Sequence, residues 1–413
     1  MKIVEIISIG DEILIGDIVN NNAAFMARHL SRIDLDVGWH SVVGDSVDRI
    51  VQAMELAWKR ADIVLTTGGL GPTHDDVTKD ALCRFFRTGY QFHPEIVEEV
   101  RARFIARGYE MPDIVRNQGL IPAEADLIRN DLGSAFGIRF DRDGRTLIAM
   151  PGVPMEMQDM FVRQVIPALQ ALSDGSVFLM RRIKTAGIFE SQLVTQFRRL
   201  NDVRVLADVA VLPKSTGVEL RFTVRANNPE RAENCMQTIL AYVWEDLSQW
   251  IVSDDERDLE QVVGDLLVQR NATVATAESC TGGLIAHMLT NVPGSSRYLI
   301  GGIVSYENRI KTGWVEVPVE LISQYGAVSF PVAEAMAEGI RRVMKTDFGV
   351  ATTGIAGPDG GTIDKPVGSV HVAVAGPADV VSEYHRFPMD RQGNKQRFAT
   401  AALDLLRRRL VGR

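Results

Sequence analysis

The 413-residue chain has little cysteine, no long apolar run and no excess of positive charge. Its three cysteines, Cys83, Cys235 and Cys280, are widely spaced and form no CxxC pair. That excludes a disulfide scaffold or a thiolate zinc site and fits a reducing compartment. No stretch approaches the ~18 uninterrupted apolar residues that a membrane-spanning helix needs. The first residues, MKIVEIISIGDE, lack the basic start and long apolar core of a secretory leader and read as a buried strand entering a loop. The expected location is therefore the cytoplasm, with no membrane partner. A formal charge of -8 leaves no global basic field to draw in nucleic acid. The seven histidines stand in no HExxH. What is present is ordinary globular composition, 46% hydrophobic and 24% charged, over a length that suits two or three domains.

Three blocks emerge along the chain, with boundaries expected at 1–172, 173–252 and 253–413. The first alternates strands and helices. VEIISIG is apolar and β-branched, and NNNAAFMARHLSRI puts Phe25, Met26, His29, Leu30 and Ile33 at helical spacing behind an asparagine cap. SVDRIVQAMELAWKR sets Val47, Ile50, Val51, Met54 and Ala57 on one face, and FGIRFDRDGRTLIAM reads as a hairpin about Asp143-Gly144. In the middle block, VFLMRRIKTAG and GVELRFTVRA alternate apolar and polar residues, as half-buried strands do, and a helix follows from Pro229. SDDERD, 253 to 258, reads as a linker. The third block returns to alternation, and its TTGIAGP at 352 to 358 echoes TTGGLGP at 66 to 72. The fold class is α/β: two α/β domains with mainly parallel sheets, joined by a small α+β module.

Chemistry concentrates where AESCTGG, 277 to 283, runs from a strand into a helix. Ser279 and Cys280 stand side by side there, and the thiol is intrinsically the better nucleophile. Amides at such a turn can hold an oxyanion; a plain Ser/Thr/Gly helix cap is the competing reading. No GxSxG surrounds Ser279, so this is not the α/β-hydrolase elbow. SYENRIK, after another apolar strand, supplies Tyr306 and Lys311. A desolvated lysine can serve as a base without histidine. GIAGPDGG is a glycine-rich loop able to receive an anionic group. In the first block, TGGLGP lets backbone amides approach a phosphate. Asp11, Glu12, Asp75 and Asp76 offer hard oxygens that suit Mg²⁺ or Mn²⁺ rather than zinc.

ATAESCTGGL, IVSYENRIK, GAVS, TTGIAGPDGG and KPVGSVHVAV occur in that order, and together they resemble the C-terminal domain of the CinA family. The resemblance implies a nicotinamide mononucleotide (NMN) deamidase. Its nucleophile is the serine of ESCTGG, here Ser279, its base is Lys311, and its site tyrosine is Tyr306. No cofactor is implied for this reaction. The resemblance places Thr281, Gly282, Gly283, Thr353, Gly354, Gly357, Gly360 and Gly361 along the substrate, with Arg391 and Arg397 as phosphate partners by charge. GDEILIGDIVNNNAAFMA, TTGGLGPTHDDVT and MPGVPMEM resemble the same family's N-terminal domain, whose fold is shared with molybdopterin-binding proteins. This implies a metal-dependent ADP-ribose pyrophosphatase. Gly10, Asn20, Asn22, Thr67, Gly68, Gly69, Gly71, Pro151, Gly152, Pro154 and Glu156 line its substrate site, and Asp11, Glu12, Asp75 and Asp76 hold a divalent Mg or Mn ion. NNN at 20 to 22 departs from the family, which more often has a threonine there. The middle block takes the place of a KH-like module. It has no GxxG loop, so no RNA binding is expected. The implied partners are NMN, ADP-ribose and a second copy in a homodimer. The other reading is a non-catalytic nucleotide- or molybdopterin-binding protein of a competence or DNA-damage pathway.

Overall fold

The computed structural model describes residues 2–33, 35–171, 177–214 and 216–412. The boundary expected between 172 and 173 lies outside the described residues. The chain forms two compact units, residues 1–179 with 225–232, and residues 180–224 with 233–413.

The strands of the first unit are β1 (Ile3–Ile9), β2 (Asp36–Val43), β3 (Ile63–Thr67), β4 (Tyr90–Phe92), β5 (Leu120–Pro122), β6 (Asp126–Ile128), β7 (Gly137–Arg142) and β8 (Arg145–Met150). Six make one sheet in the order β2-β1-β3-β8-β7-β6. β2, β1, β3 and β8 run parallel, and β7 and β6 close the edge antiparallel. β4 and β5 form a separate ribbon. All of β3 and nearly all of β1 are buried, as strands covered on both faces must be. Alternate residues of β1 feed opposite cores: Ile7 and Ile9 pack with Ile50 and Met54, whereas Val4 and Ile6 pack with Met26 and Leu30. Asn20 caps the helix Asn21–Leu30 by accepting from the Ala23 N–H. The hairpin forms at Asp143-Gly144, where both residues have positive φ, 54° and 74°. That pairing suits a tight I′-type turn between twisted strands.

The middle block supplies β9 (Val177–Thr185), β10 (Asp208–Pro213), β11 (Val218–Ala226) and β12 (Ile251–Ser253), in the order β10-β11-β9-β12. The helix Pro229–Leu247 buries Met236, Ile239, Val243 and Leu247 at helical spacing. The third block supplies β13 (Val274–Glu278), β14 (Leu299–Val304), β15 (Phe348–Gly354), β16 (Ser369–Ala375) and β17 (Val380–Arg386), in the order β14-β13-β15-β16-β17. β14, β13 and β15 are parallel. β16 pairs antiparallel with both β15 and β17, so one strand of this sheet runs against the other four. The reason is in the connections. No helix lies between β15 and β16 or between β16 and β17, and without a crossover a returning strand runs antiparallel.

SDDERD is tied down more tightly than a free linker. Lys184 pairs with Asp258 at 2.7 Å, Arg257 with Asp255 and Asp265 at 2.7 Å each, and Asp258 with Gln261 forms a capping box on the helix Leu259–Gln269. Among the described residues no helix is long and apolar enough to cross a membrane.

One buried charge holds the first sheet. Glu5 is 1% exposed on β1, and its carboxylate accepts two bonds of 2.8 Å from Arg60 and one of 2.6 Å from Ser41. Replacing Arg60 by methionine leaves that carboxylate without its cation, which destabilises the fold. Denaturant unfolding at pH 7 should read that loss. A loss below about 1 kcal/mol, the size of an ordinary surface pair, would show that the pair contributes little.

Candidate active site

Three parallel strands end together. Glu278 stands opposite Val304 on one side and Thr352 on the other. The residues that follow, Ser279, Ser305 and Thr353, therefore emerge side by side at the carboxyl ends, where open α/β sheets place their ligands. The Ser279 N–H donates to the Thr352 carbonyl at 3.0 Å, and the Ser305 N–H to the Glu278 carbonyl at 2.8 Å. Lys311 comes from the short helix Asn308–Trp314, and it is the residue that helix buries. Its side chain is 1% exposed. Its Nζ lies 3.2 Å from Ser279 Oγ and donates to the Ser305 and Tyr306 carbonyls at 2.8 and 3.0 Å. Burial lowers its pKa, outweighing the opposite pull of Cys280 and Glu307.

The neighbouring thiol has the reverse environment. Cys280 is buried, and that burial pushes its pKa up to about 12. A thiolate is the reactive form, so this cysteine is poorly placed to attack. Of the two side chains, the Ser279 hydroxyl is the one that Lys311 Nζ contacts. Tyr306 serves Lys311 through its backbone carbonyl; its ring is 62% exposed, and its hydroxyl is 3.4 Å from Arg391.

The turn after Ser279 is shaped from beneath. Glu278 is buried, and its carboxylate accepts from the N–H groups of Ile285 and Ala286 at 3.0 and 2.9 Å. The start of the helix Leu284–Thr290 is therefore satisfied internally. Oxyanion donors must come from the turn that precedes it. Thr281 is fully buried and its hydroxyl shares a 2.8 Å bond with Thr352, so its side chain braces the turn rather than facing a substrate. Gly282 has φ +64°, and a Cβ there would sit 3.5 Å from Lys395 Nζ. Gly283 is the last residue before the helix.

The glycine-rich loop lies beside this turn. Thr353 donates to the Ala327 carbonyl at 2.7 Å, anchoring GAVS. Gly354 ends β15, and Gly360 and Gly361 continue the loop. The Gly357 carbonyl accepts from Arg391 at 2.6 Å. Arg391 thereby bridges the loop and Tyr306. Arg397 does not join it: its guanidinium donates to the Lys214 carbonyl at 2.9 Å and faces Phe189. The helix Arg391–Leu410 explains this correction, because six residues turn about 240° around the axis while four turn about 40°. Lys395, four residues on, is the basic side chain that shares the face of Arg391. Sequence reasoning missed it, although the spacing was available.

The first unit has its own cleft of about 500 Å³. The eleven residues expected along the substrate, from Gly10 through Glu156, all line it. Asn22 spans it, donating to the Gly152 carbonyl at 2.7 Å and to Thr67 Oγ1 at 3.1 Å, and its Oδ1 is buried without a partner among the described residues. Thr67 donates to the Pro151 carbonyl at 2.8 Å, and Asn20 is shared between its helix cap and Ser8. Gly68 has φ +115°, and a Cβ there would come within 2.1 Å of the Ile9 carbonyl, so only glycine lets β3 turn against β1. The Leu70 carbonyl is held by Gln118, which Lys79 holds in turn, at 3.0 Å each. Burial draws the Lys79 pKa down to about 8.

Glu12, Asp75 and Asp76 line the cleft, but Asp11 does not. Its N–H donates to Asp45, and its carboxylate lies against Gly44. Asp45, absent from the sequence-based set, takes its place in the lining. Burial raises the Asp45 pKa, and the charges of Asp11, Glu12 and Asp75 raise it further. A hard cation relieves such crowding, and an all-oxygen donor set suits one. Among the described residues, however, no three acidic, histidine or cysteine side chains stand as a closed metal shell. Asp76 is engaged by the Thr73 hydroxyl at 2.6 Å.

Fold and site together define a multidomain α/β protein with a buried serine–lysine pair at the strand ends of its third block. Residues 256–410 match the family described as "CinA C-terminal domain", residues 5–171 the "Probable molybdopterin binding domain", and residues 180–253 the "Damage-inducible protein CinA KH domain". The chain is 38% identical over 407 residues to the CinA-like protein of Dictyoglomus turgidum, across 98% of this chain and 99% of that protein. The CinA-like protein of Dictyoglomus thermophilum matches over the same shares at the same identity. The crystal structure of CinA from Thermoplasma acidophilum matches 41% of this chain and 98% of its own, at 29% identity and a TM-score of 0.38. The chain belongs to the CinA family.

The buried thiol is open to a direct check. On native protein at pH 8, iodoacetamide should leave Cys280 unmodified while the half-buried Cys83 and Cys235 react first, as read by mass spectrometry of the peptides. Labelling of Cys280 as fast as Cys235 would mean that the thiol is accessible and reactive.

Proposed function

We propose that the third block hydrolyses the carboxamide of NMN to nicotinate mononucleotide and ammonia. The observation that carries this reading is the set of partners around Lys311 Nζ. A neutral amine has two N–H bonds and one lone pair. The two carbonyls of Ser305 and Tyr306 take the N–H bonds, and the lone pair is left for the Ser279 hydroxyl. Ser279 Oγ attacks the amide carbon while Lys311 takes its proton. Amides of the 280–283 turn hold the oxyanion. The C–N bond breaks, and the proton on Lys311 leaves with ammonia. Lys311 then draws a proton from water, which hydrolyses the ester and frees the acid. Arg391 and Lys395 provide the charge for the 5′-phosphate.

For the first unit we propose hydrolysis of ADP-ribose to AMP and ribose 5-phosphate. The amides of the 68–71 turn receive a phosphate, and the unpaired Asn22 Oδ1 accepts from a substrate hydroxyl. Glu12, Asp45, Asp75 and Asp76 line this cleft, and a Mg or Mn ion arriving with the substrate would neutralise charge on the pyrophosphate. The family's molybdopterin-binding description supports a second reading, a cleft that binds without turnover.

Two experiments test these readings. Deamidation should rise with pH through a single ionisation and level off, because the base acts only when neutral and burial lowers the pKa of Lys311 below the free-lysine value near 10.4. Ser279→Ala and Lys311→Arg should each lose at least about a thousandfold in kcat, since a guanidinium keeps its proton. Ammonia release from Lys311→Arg at the wild-type rate would remove Lys311 from the reaction. In the second experiment, EDTA should stop AMP formation from ADP-ribose and leave deamidation intact. Tight ADP-ribose binding with no AMP formed in excess Mg²⁺ or Mn²⁺ would establish the binding-only reading instead.

A further inference from the structure

Apart from both clefts, a cavity of about 530 Å³ opens between the middle block and the last helix. That volume falls within the range of small-molecule sites, roughly 300–1,000 Å³. Its walls are aromatic. Phe189, Tyr384 and Phe330 are 52%, 44% and 42% exposed, which leaves ring faces and edges available for stacking.

Its charges are unequal in kind. Arg408 grips Glu383 with two bonds of 2.8 Å and reaches Asp404 at 3.1 Å, and Arg407 pairs with Asp404 at 2.8 Å. Two cations and two anions cancel there. The Glu383 carboxyl is held down to about 2 by His385 and Arg408, so it stays ionised at neutral pH. Arg397 is different. Its guanidinium donates to the Lys214 carbonyl, lies 5.9 Å from the Phe189 ring centroid, and meets no carboxylate among the described residues. Its Nε is buried without a hydrogen-bond partner. A half-buried cation with an unsatisfied donor, facing an aromatic-walled cavity, is an incomplete arrangement.

We propose that this cavity is a second small-molecule site, whose ligand is a planar aromatic acid with one negative charge. The acid group pairs with Arg397, and the ring lies among Phe189, Tyr384 and Phe330. One unpaired cation asks for one charge, and the nearby carboxylates of Glu383 and Asp404 disfavour a dianion. Because the walls come from both the middle block and the third block, bound ligand clamps the two together. This inference does not depend on the deamidase reading.

The probe is 2-naphthoate, titrated calorimetrically into the full chain at pH 7, with neutral 2-naphthamide as its uncharged counterpart. One binding event is expected, at least about tenfold weaker for the amide and for Arg397→Gln, since a charge-assisted pair is lost in both. Phe189→Ala, at an exposed position, should weaken binding about fivefold through lost ring contact. Arg391→Gln, which alters the Ser279 site, should leave the affinity unchanged. The proposal is overturned if wild-type protein binds no naphthoate at millimolar concentration. It is equally overturned if Arg391→Gln rather than Arg397→Gln removes binding. Should Arg397→Gln fail to fold, unchanged affinity in Phe189→Ala refutes it alone.

Discussion

The third block depends on the in-register parallel pairing of β14, β13 and β15. Glu278 lies level with Val304 and Thr352, so three chain segments far apart in sequence leave the sheet at one height. Shifting one strand by a residue would turn its side chains to the other face and separate Ser279 from the Ser305 carbonyl that orients Lys311. The hydrogen bonds across the strand ends, from Ser279 to Thr352 and from Ser305 to Glu278, extend the ladder just past the last regular residues. The site is thus built on rigid backbone, and the short helix that bears Lys311 has only to point one side chain inward.

That geometry decides the electrostatics. A buried amine lies 3.2 Å from the Ser279 hydroxyl, the next residue in the chain carries a buried thiol, and desolvation acts on both. It lowers the lysine pKa and raises that of the cysteine. Glu278 works in the same place for structure: its carboxylate satisfies the helix start that would otherwise attract an anion. In the first unit, burial raises the Asp45 carboxyl, and the charges of Asp11, Glu12 and Asp75 raise it further.

Much of the fold was legible because its signals are local. Apolar runs such as VEIISI and IVLTT mark strands buried on both faces, helical spacing selects Met26 with Leu30 and Ile50 with Met54, and Asp-Gly specifies the hairpin. The mixed direction of the third sheet was less legible. It depends on which connections lack a helix, and a glycine-rich stretch does not announce its own path. Among site residues, motif order located Ser279 and Lys311, and every residue assigned to the first cleft except Asp11 lines it. Arg397 shows the limit: a charge in a motif carries no direction until its place on the helix is known.

The sequence by itself determined the family, the order of the blocks, the candidate nucleophile and base, and the acidic, glycine-rich character of the first cleft, because each is carried by residues within a few positions of one another. Only the tertiary structure decided that Lys311 is buried against Ser279, that Cys280 is buried, that Asp45 replaces Asp11 along the cleft, and that Lys395 rather than Arg397 accompanies Arg391. Those outcomes depend on desolvation and on distances between strands and helices brought together from across the chain, and neither is a property of any short stretch of sequence.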